Sequence, residues 1–556
     1  MKTVNFSNYV KFAKDGDYIP ALKEALKHVT DNTILKFEKG RYLFKVTNAD
    51  TALQDFPYHS YGNMPCAFHF KNLKNITLDG GGSEFVFGGR ILPFIFDHCE
   101  NVTFRNLSED FDRPWYTEGK VVRSTKKYVD IVIDKEKFPV RFENGQLHFI
   151  SEYYDYDDKN IFCIEFSPET GSLAYGHNYF FLTREEHPEY NFYMRHLNKV
   201  EQIAEDTFRM YIEGGEPLYV GSILCIQHCD RGSTGVSLNT CKNVVVEDFN
   251  LYHCAGMGIS LNSCTDTLIQ RVTVLPAPGS GRIMSIMADG IHCINAMGKM
   301  EVFDCLFESM NDDAGNFHGF YPIVKEVIDK RTLKCIAYHN CRTGVESGDE
   351  IRFINKSIMK PCGKCIIIDK AEYPEDRGTL ILKFKEDLPG YVREGLAIEN
   401  RTKVPSLLHI KNVHTGKNRP RGFLISVPCK TIIEDCEFYN SDCALDFTGD
   451  ANYWFESGPV EDVTVKNNIF RDCGHASFCG AITFRPSIPK GDYRFHSGVK
   501  IHDNVFESFN PLMAEFRNVK DVEFYDNKYI KKTDVYKPIK RPSIICENSD
   551  FKRLEY

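Results

Sequence analysis

The chain is 556 residues long, enough for several domains by length alone, although a repeat architecture can stretch one core over the same span. A formal net charge of −9 with interspersed signs argues against a nucleic-acid or anionic-membrane partner and suits a neutral substrate. The 20 cysteines form no compact framework and no recurring zinc-spaced pairs, Cys362 and Cys365 being a single CxxC, so they read as reduced, mostly buried thiols.

The first residues, MKTVNFSNYVKFAKDGD, contain no apolar leader region, and no apolar run is long enough to span a bilayer. A soluble chain is expected, with the compartment open: cytoplasmic, or secreted or periplasmic if a leader is removed. Asp15-Gly16-Asp17 marks a turn and helix start, Ala21 to Val29 has apolar residues at helical spacing, and Thr33 to Phe44 alternates like a strand through a turn at Gly40. Such an opening suits the cap of a solenoid.

A phrase then recurs. Phe68 to Leu78, Phe94 to Leu107, Val236 to Phe249, Ile259 to Val272, Ile291 to Phe307 and Leu424 to Phe438 each join a short alternating strand, a polar bend with Cys or Asn, and a second alternating strand. The period is that of one coil of a parallel β-helix, whose turns stack at about 4.8 Å. Cys99, Cys241, Cys264 and Cys429 fall at the same bend and are expected to stack as an interior ladder. Two segments, Thr117 to Tyr219 and Phe320 to Val404, break the period with strand-like stretches and charged loops, and read as small inserted barrels. The expected class is all-β. Its organisation is a cap and first coils (1–116), an inserted barrel (117–219), central coils (220–319), a second β-rich insertion (320–404), further coils (405–530) and a charged tail (531–556).

The central coils carry the candidate chemistry. Aligning GMGISLNSC, ADGIHCINA and DDAGNFHG stacks Ile259, Ile291 and Gly315 inward, makes Asp289 and Asp313 equivalent positions on adjacent coils, and lays His292 on Asn316. Asp312 is offset by one residue. Neighbouring coils then hold these carboxylates roughly 5 to 8 Å apart. That range covers both glycosidase geometries, about 5 to 5.5 Å for retention and about 6.5 to 9.5 Å for inversion, so spacing alone does not choose between them. Like charges this close raise one carboxyl's pKa and supply an acid beside a base.

Two phrases contain the only two tryptophans beside polar groups: Asp110, Asp112, Arg113 and Trp115 in NLSEDFDRPWY, and Asp450, Asn452, Trp454 and Glu456 in GDANYWFESG. A tryptophan face against a sugar's C–H face, with carboxylates and amides on its hydroxyls, is the expected use. His292, Asn316, His318 and Arg421 complete the candidate binding set, with Arg419 beside them.

The phrases DFDRPW, ADGIH, MNDDAGNFHG, RPRGFLIS and GDANYWFESG, in this order, resemble glycoside hydrolase family 110, the α-1,3-galactosidases acting on blood-group-B-type and linear terminal galactose. The resemblance covers most of the chain. It implies a right-handed parallel β-helix with β-barrel insertions and metal-independent hydrolysis with inversion, needing no cofactor. Asp289 would be the general acid, with Asp312 and Asp313 activating water. The chain departs from the family pattern at Gly290, Ile291 and Gly315, beside the carboxylates, where Ala, Thr and Ile are usual. Partners expected are terminal α-galactoside glycans, with no nucleic acid and no membrane insertion, and a homodimer is the assembly allowed for. The alternatives are an inverting polygalacturonase-like β-helix hydrolase, for which no Arg-x-Lys phrase is present to hold a uronate, and a non-catalytic carbohydrate-binding β-helix.

Overall fold

The computed structural model describes residues 1–54, 56–59, 62–177, 179–185, 193–228, 231–339, 344–374 and 378–556. The chain winds into a right-handed parallel β-helix with two closed barrels inserted between coils. No helix among the described residues is long and apolar enough to cross a membrane. The first coil is capped by the helix Ile19–Leu26, whose Ile19, Ala21, Leu22 and Ala25 are buried, placing one apolar stripe over the open end of the core.

The coils contribute strands to both of two long sheets. In the shorter-stranded sheet, parallel pairing stacks Phe68 on Phe94, then Val236, Ile259, Ile291, Gly315, Phe423, Leu445, Ile482, Ala514 and Ile544. The expected register of Ile259, Ile291 and Gly315, with His292 opposite Asn316, is the one formed. Because side chains alternate across a strand, the residue after each inward position points away from the core. Along the strands Ile291–Ile294 and Gly315–Phe320 that outer face is itself largely buried, so other parts of the chain cover it there.

The bends explain the polar phrase. Asn75, Asn101 and Asn243 have φ of 53°, 56° and 53°, a left-handed conformation that asparagine tolerates. Their amides form a ladder: Asn243 donates to Asn101 (2.8 Å), Asn101 to Asn75 (2.7 Å), and Asn75 to Asn32 (2.7 Å). Beside it the thiols of Cys99, Cys241 and Cys264 each donate to a carbonyl of the preceding coil, those of Phe70, Phe96 and Leu238, at 3.5, 3.4 and 3.4 Å. Cys429 lies apart from this run, beyond the second insertion, with its sulfur 3.7 Å from Thr431 Oγ1. The described cysteines are all free thiols; Cys229 and Cys341 lie outside the described residues.

The first barrel enters through Tyr116–Ser124 and closes on Ile223–Gln227, with Tyr116 paired to Gln227. Its last strand, ILCIQ, thus runs past the expected boundary at 219. The second barrel comprises strands from Ile323–Asp329 to Ala397–Asn400. The tail is not a loose cover. Ile544–Glu547 pairs with Ala514–Arg517, and Phe551–Leu554 with the strand Val519–Tyr525, so it adds a last coil.

Candidate active site

The corner preceding the strands Ile291–Ile294 and Gly315–Phe320 brings the three candidate acids together. Asp313 sits one coil on from Asp289, with the Gly290 N–H donating to the Asp313 carbonyl at 2.9 Å. Asp289, Asp312 and Asp313 each present a carboxylate oxygen within 4.8 Å of those of the other two. In a regular strand Asp312 and Asp313 would face opposite ways; because this segment is a bend, both reach the same cluster.

Their surroundings differ. Arg421, at the equivalent position on the coil after Asp313, grips its carboxylate through Nε to Oδ1 (2.9 Å) and Nη2 to Oδ2 (3.0 Å), and its backbone N–H donates to Oδ1 at 3.2 Å. Arg231 donates to Asp312 Oδ2 at 2.8 Å, and Arg419 Nη2 lies 3.5 Å from Asp312 Oδ1. Arg419 in turn rests its guanidinium on the ring of Tyr179 (4.6 Å), which ties the first barrel to the cluster. Asp289 is buried, and its carboxyl is pushed well above the usual range, first by loss of solvent and then by the charges of Asp312 and Asp313. Burial also raises Asp313, to about 7, against the pull of Arg421.

Behind Arg421 stands Asp446, two coils beyond Asn316 in the same outward column. Its Oδ2 is 3.6 Å from Arg421 Nη1 and accepts from Arg485 Nη2 at 3.1 Å, while Oδ1 accepts from Thr483 Oγ1 at 2.6 Å. The result is an alternating row: Asp313, Arg421, Asp446, Arg485.

His292 and Asn316 follow Asp289 and Asp313 on their strands. His292 Nε2 meets His318 Nε2 at 3.0 Å, Asn316 Nδ2 donates to Glu456 Oε1 at 3.1 Å, and His318 Nε2 lies 3.9 Å from the same oxygen. Burial lowers both histidines, which keeps the imidazoles neutral. The Oδ1 of Asn316 is buried without a hydrogen-bond partner. Tyr58 packs its ring edge-on against His292 (5.3 Å) and His318 (5.9 Å), stacks on His339 (4.9 Å), and donates its hydroxyl to the Trp454 carbonyl at 2.8 Å. Trp454, 44 % exposed, stands 5.6 Å from His339 and 6.2 Å from Tyr58. Asp450 accepts from the backbone N–H groups of Asn452, Tyr453 and Trp454 and so shapes this loop, while Asn452 Nδ2 reaches the Lys356 carbonyl of the second barrel at 3.2 Å.

The other tryptophan phrase has a different place. Trp115 is fully buried, stacked on Tyr154 at 4.6 Å, with no ring face left for a sugar. Arg113 spends its guanidinium on the carbonyls of Pro114 (2.9 Å) and Tyr116 (2.7 Å) and on Thr117 Oγ1 (2.8 Å). Asp110 is locked to Arg282 by two bonds of 3.0 and 2.8 Å, and Asp112 is raised to about 6 by burial and by the charge of Glu152, against the pull of Lys45. These four residues form the joint between coil and first barrel, since a chain leaving a coil must satisfy its freed backbone groups there.

Arg231, Tyr58, His339, Asp446 and Arg485 are not among the candidates from sequence. Asp446 has a signal, its register with His292 and Asn316; Tyr58, far away in the chain and at φ 62°, has none.

A model named GLAA-B beta-barrel domain I matches residues 117–224. The chain is similar to Alpha-1,3-galactosidase B of Bacteroides thetaiotaomicron, 30% identical over 540 residues, covering 94% of this chain and 84% of that protein. It is similar to Alpha-1,3-galactosidase A of Shewanella woodyi, 31% identical over 533 residues, covering 93% and 84%. Among solved structures, a hyperthermoactive exopolygalacturonase from Thermotoga maritima aligns at 10% identity with a TM-score of 0.38, covering 95% of this chain and 92% of that one.

Proposed function

The chain belongs to the α-1,3-galactosidases, glycoside hydrolase family 110, and from that membership we propose an exo-acting, inverting enzyme that removes terminal α-1,3-linked galactose from glycans of blood-group-B or linear type. One observation carries the mechanism: a buried aspartate with a strongly raised pKa faces two aspartates that are each held by arginine.

In this reading Asp289 is protonated near neutrality and gives its proton to the glycosidic oxygen as the C1–O bond breaks. Water attacks C1 from the opposite face, and its proton passes to Asp312. Asp312 is the more exposed of the pair, its side chain 14% accessible against 1% for Asp313, so a water reaches it more readily. Asp313, clamped by Arg421, orients that water. The unpartnered Asn316 Oδ1 is an acceptor suited to a sugar hydroxyl, and the exposed Trp454 face suits the leaving sugar. Burial of Asp289 and Asp313, with Tyr58 packed over the neighbouring His292 and His318, favours a chain end over an internal residue.

A second reading, retention through a covalent intermediate, is favoured by the close spacing of the carboxylate oxygens, within 4.8 Å. Nearest-oxygen distances are shorter than separations of whole carboxyl groups, and two adjacent aspartates beside one acid suit a held water, so inversion is preferred. The substrate assignment is tested with a panel of linear α-1,3-galactobiose, its fucose-branched counterpart, an oligosaccharide with the linkage internal, and a galacturonan. Galactose is expected from non-reducing ends alone; internal cleavage, or action on the galacturonan only, would sink the assignment.

A further inference from the structure

His292 and His318 each turn one ring nitrogen toward a shared point in the corner also reached by Glu456. His318 Nδ1 lies 2.6 Å from the Gly319 carbonyl oxygen, which only accepts, so Nδ1 carries the hydrogen and Nε2 presents a lone pair. His292 Nδ1 lies 2.8 Å from the Met257 thioether sulfur, too weak an acceptor to set the tautomer. The two Nε2 atoms face each other at 3.0 Å, so in the ion-free protein the His292 Nε2–H donates to the His318 lone pair. A divalent ion would replace that shared proton with two metal–nitrogen bonds.

A carboxylate completes the corner. Glu456 Oε1 is 3.9 Å from His318 Nε2, and one donor atom from each of His292, His318 and Glu456 falls within 4.8 Å of the others. Two nitrogens bound to one zinc ion at about 2.0 Å stand roughly 3.3 Å apart at a tetrahedral angle, so the imidazoles need to part by only a few tenths of an ångström. The other nitrogen of His318 is already fixed by the Gly319 carbonyl, the outer-shell arrangement that sets tautomer and orientation for a metal-bound histidine. The ligand set, two imidazoles and one carboxylate, suits zinc and similar borderline divalent ions over magnesium or calcium.

We propose that His292, His318 and Glu456 form a binding site for a zinc-class divalent ion, and that the bound ion inhibits by occupying the corner that takes sugar hydroxyls. The ion has no part in hydrolysis. The inhibition half rests on the functional reading above; the binding half does not.

The test is calorimetric titration of the whole protein with Zn2+ at neutral pH, paired with the absorption spectrum of the Co2+ form. One ion per chain is expected, with cobalt d–d bands and no thiolate charge-transfer band, since no ligand is a cysteine. His318→Gln and Glu456→Gln, shown folded by circular dichroism, should each weaken binding about 10-fold or more. Zn2+ should abolish release of galactose from α-1,3-galactobiose, and a chelator restore it. A thiolate band, or binding lost in the Cys443→Ser/Cys479→Ser double variant and kept in His318→Gln, would move the ion to the Asp442, Cys443 and Cys479 cluster and overturn the site. Absence of binding would leave the N–H···N bond as all that joins the imidazoles and also overturns the site. Binding without inhibition would refute the second half alone, and a protein that binds zinc but hydrolyses no galactoside would fail the functional reading and leave the site standing.

Discussion

Asp289, Asp312 and Asp313 are one chemical group in three settings, and the proposed roles follow from those settings. Burial and two neighbouring carboxylates raise Asp289, so the native state holds its proton at pH values where the unfolded chain has lost it. Stability is therefore full below the unfolded carboxyl pKa and declines as pH rises toward the native one. Asp289→Asn removes that penalty. It should cut kcat by about 10²- to 10⁴-fold, yet raise Tm at pH 8, with the gain shrinking toward pH 4; a fall in Tm at pH 8 would contradict the electrostatic account. Arg421 acts in the opposite sense on Asp313. Arg421→Lys keeps the charge and loses the two-pronged grip, which should lower kcat/KM by about 10-fold or more and shift the acidic limb of its pH profile upward, as Asp313 holds its proton more tightly. An unmoved limb would separate Arg421 from catalysis. The clustering of the three aspartates was legible because a stacked register turns sequence spacing into proximity. Arg113 and Trp115 misled because composition marks a polar aromatic phrase without saying whether it faces a cleft or a joint.

At the scale of elements, the coil is a strand, a left-handed asparagine or thiol bend, and a second strand. Its repetition made the fold readable, as Ile259, Ile291 and Gly315 falling into one column illustrates. The bend also fixes what the cysteines do. Cys99, Cys241 and Cys264 donate along the coil axis from a dry interior, so a small thiol reagent should label the exposed Cys365 and Cys546 in native protein and reach the ladder only after denaturation. Rapid native labelling of Cys241, read by peptide mass spectrometry, would contradict the ladder. Tyr58 and Glu456 were harder, for opposite reasons. Glu456 belongs to a short return strand that pairs antiparallel with Gly319 and Phe320, which no coil period announces, although its sugar-suited neighbours flagged it. Tyr58 reaches the site from the N-terminal segment by chain path alone.

Across the whole molecule, the solenoid supplies a column of outward positions and the insertions cover part of it. The first barrel supports Arg419 through Tyr179, the second holds Asn452 through Lys356, and the N-terminal segment lays Tyr58 over His292. The carboxylates consequently lie at a covered corner, where loss of solvent raises Asp289 and Asp313 together. In the proposed mechanism Asp289 protonates the leaving oxygen while a water held by Asp312 and Asp313 attacks the other face. Proton NMR of α-1,3-galactobiose during the first minutes of hydrolysis distinguishes the outcomes: β-galactose should appear first and α-galactose later by mutarotation, whereas α-galactose as the first product would contradict the mechanism.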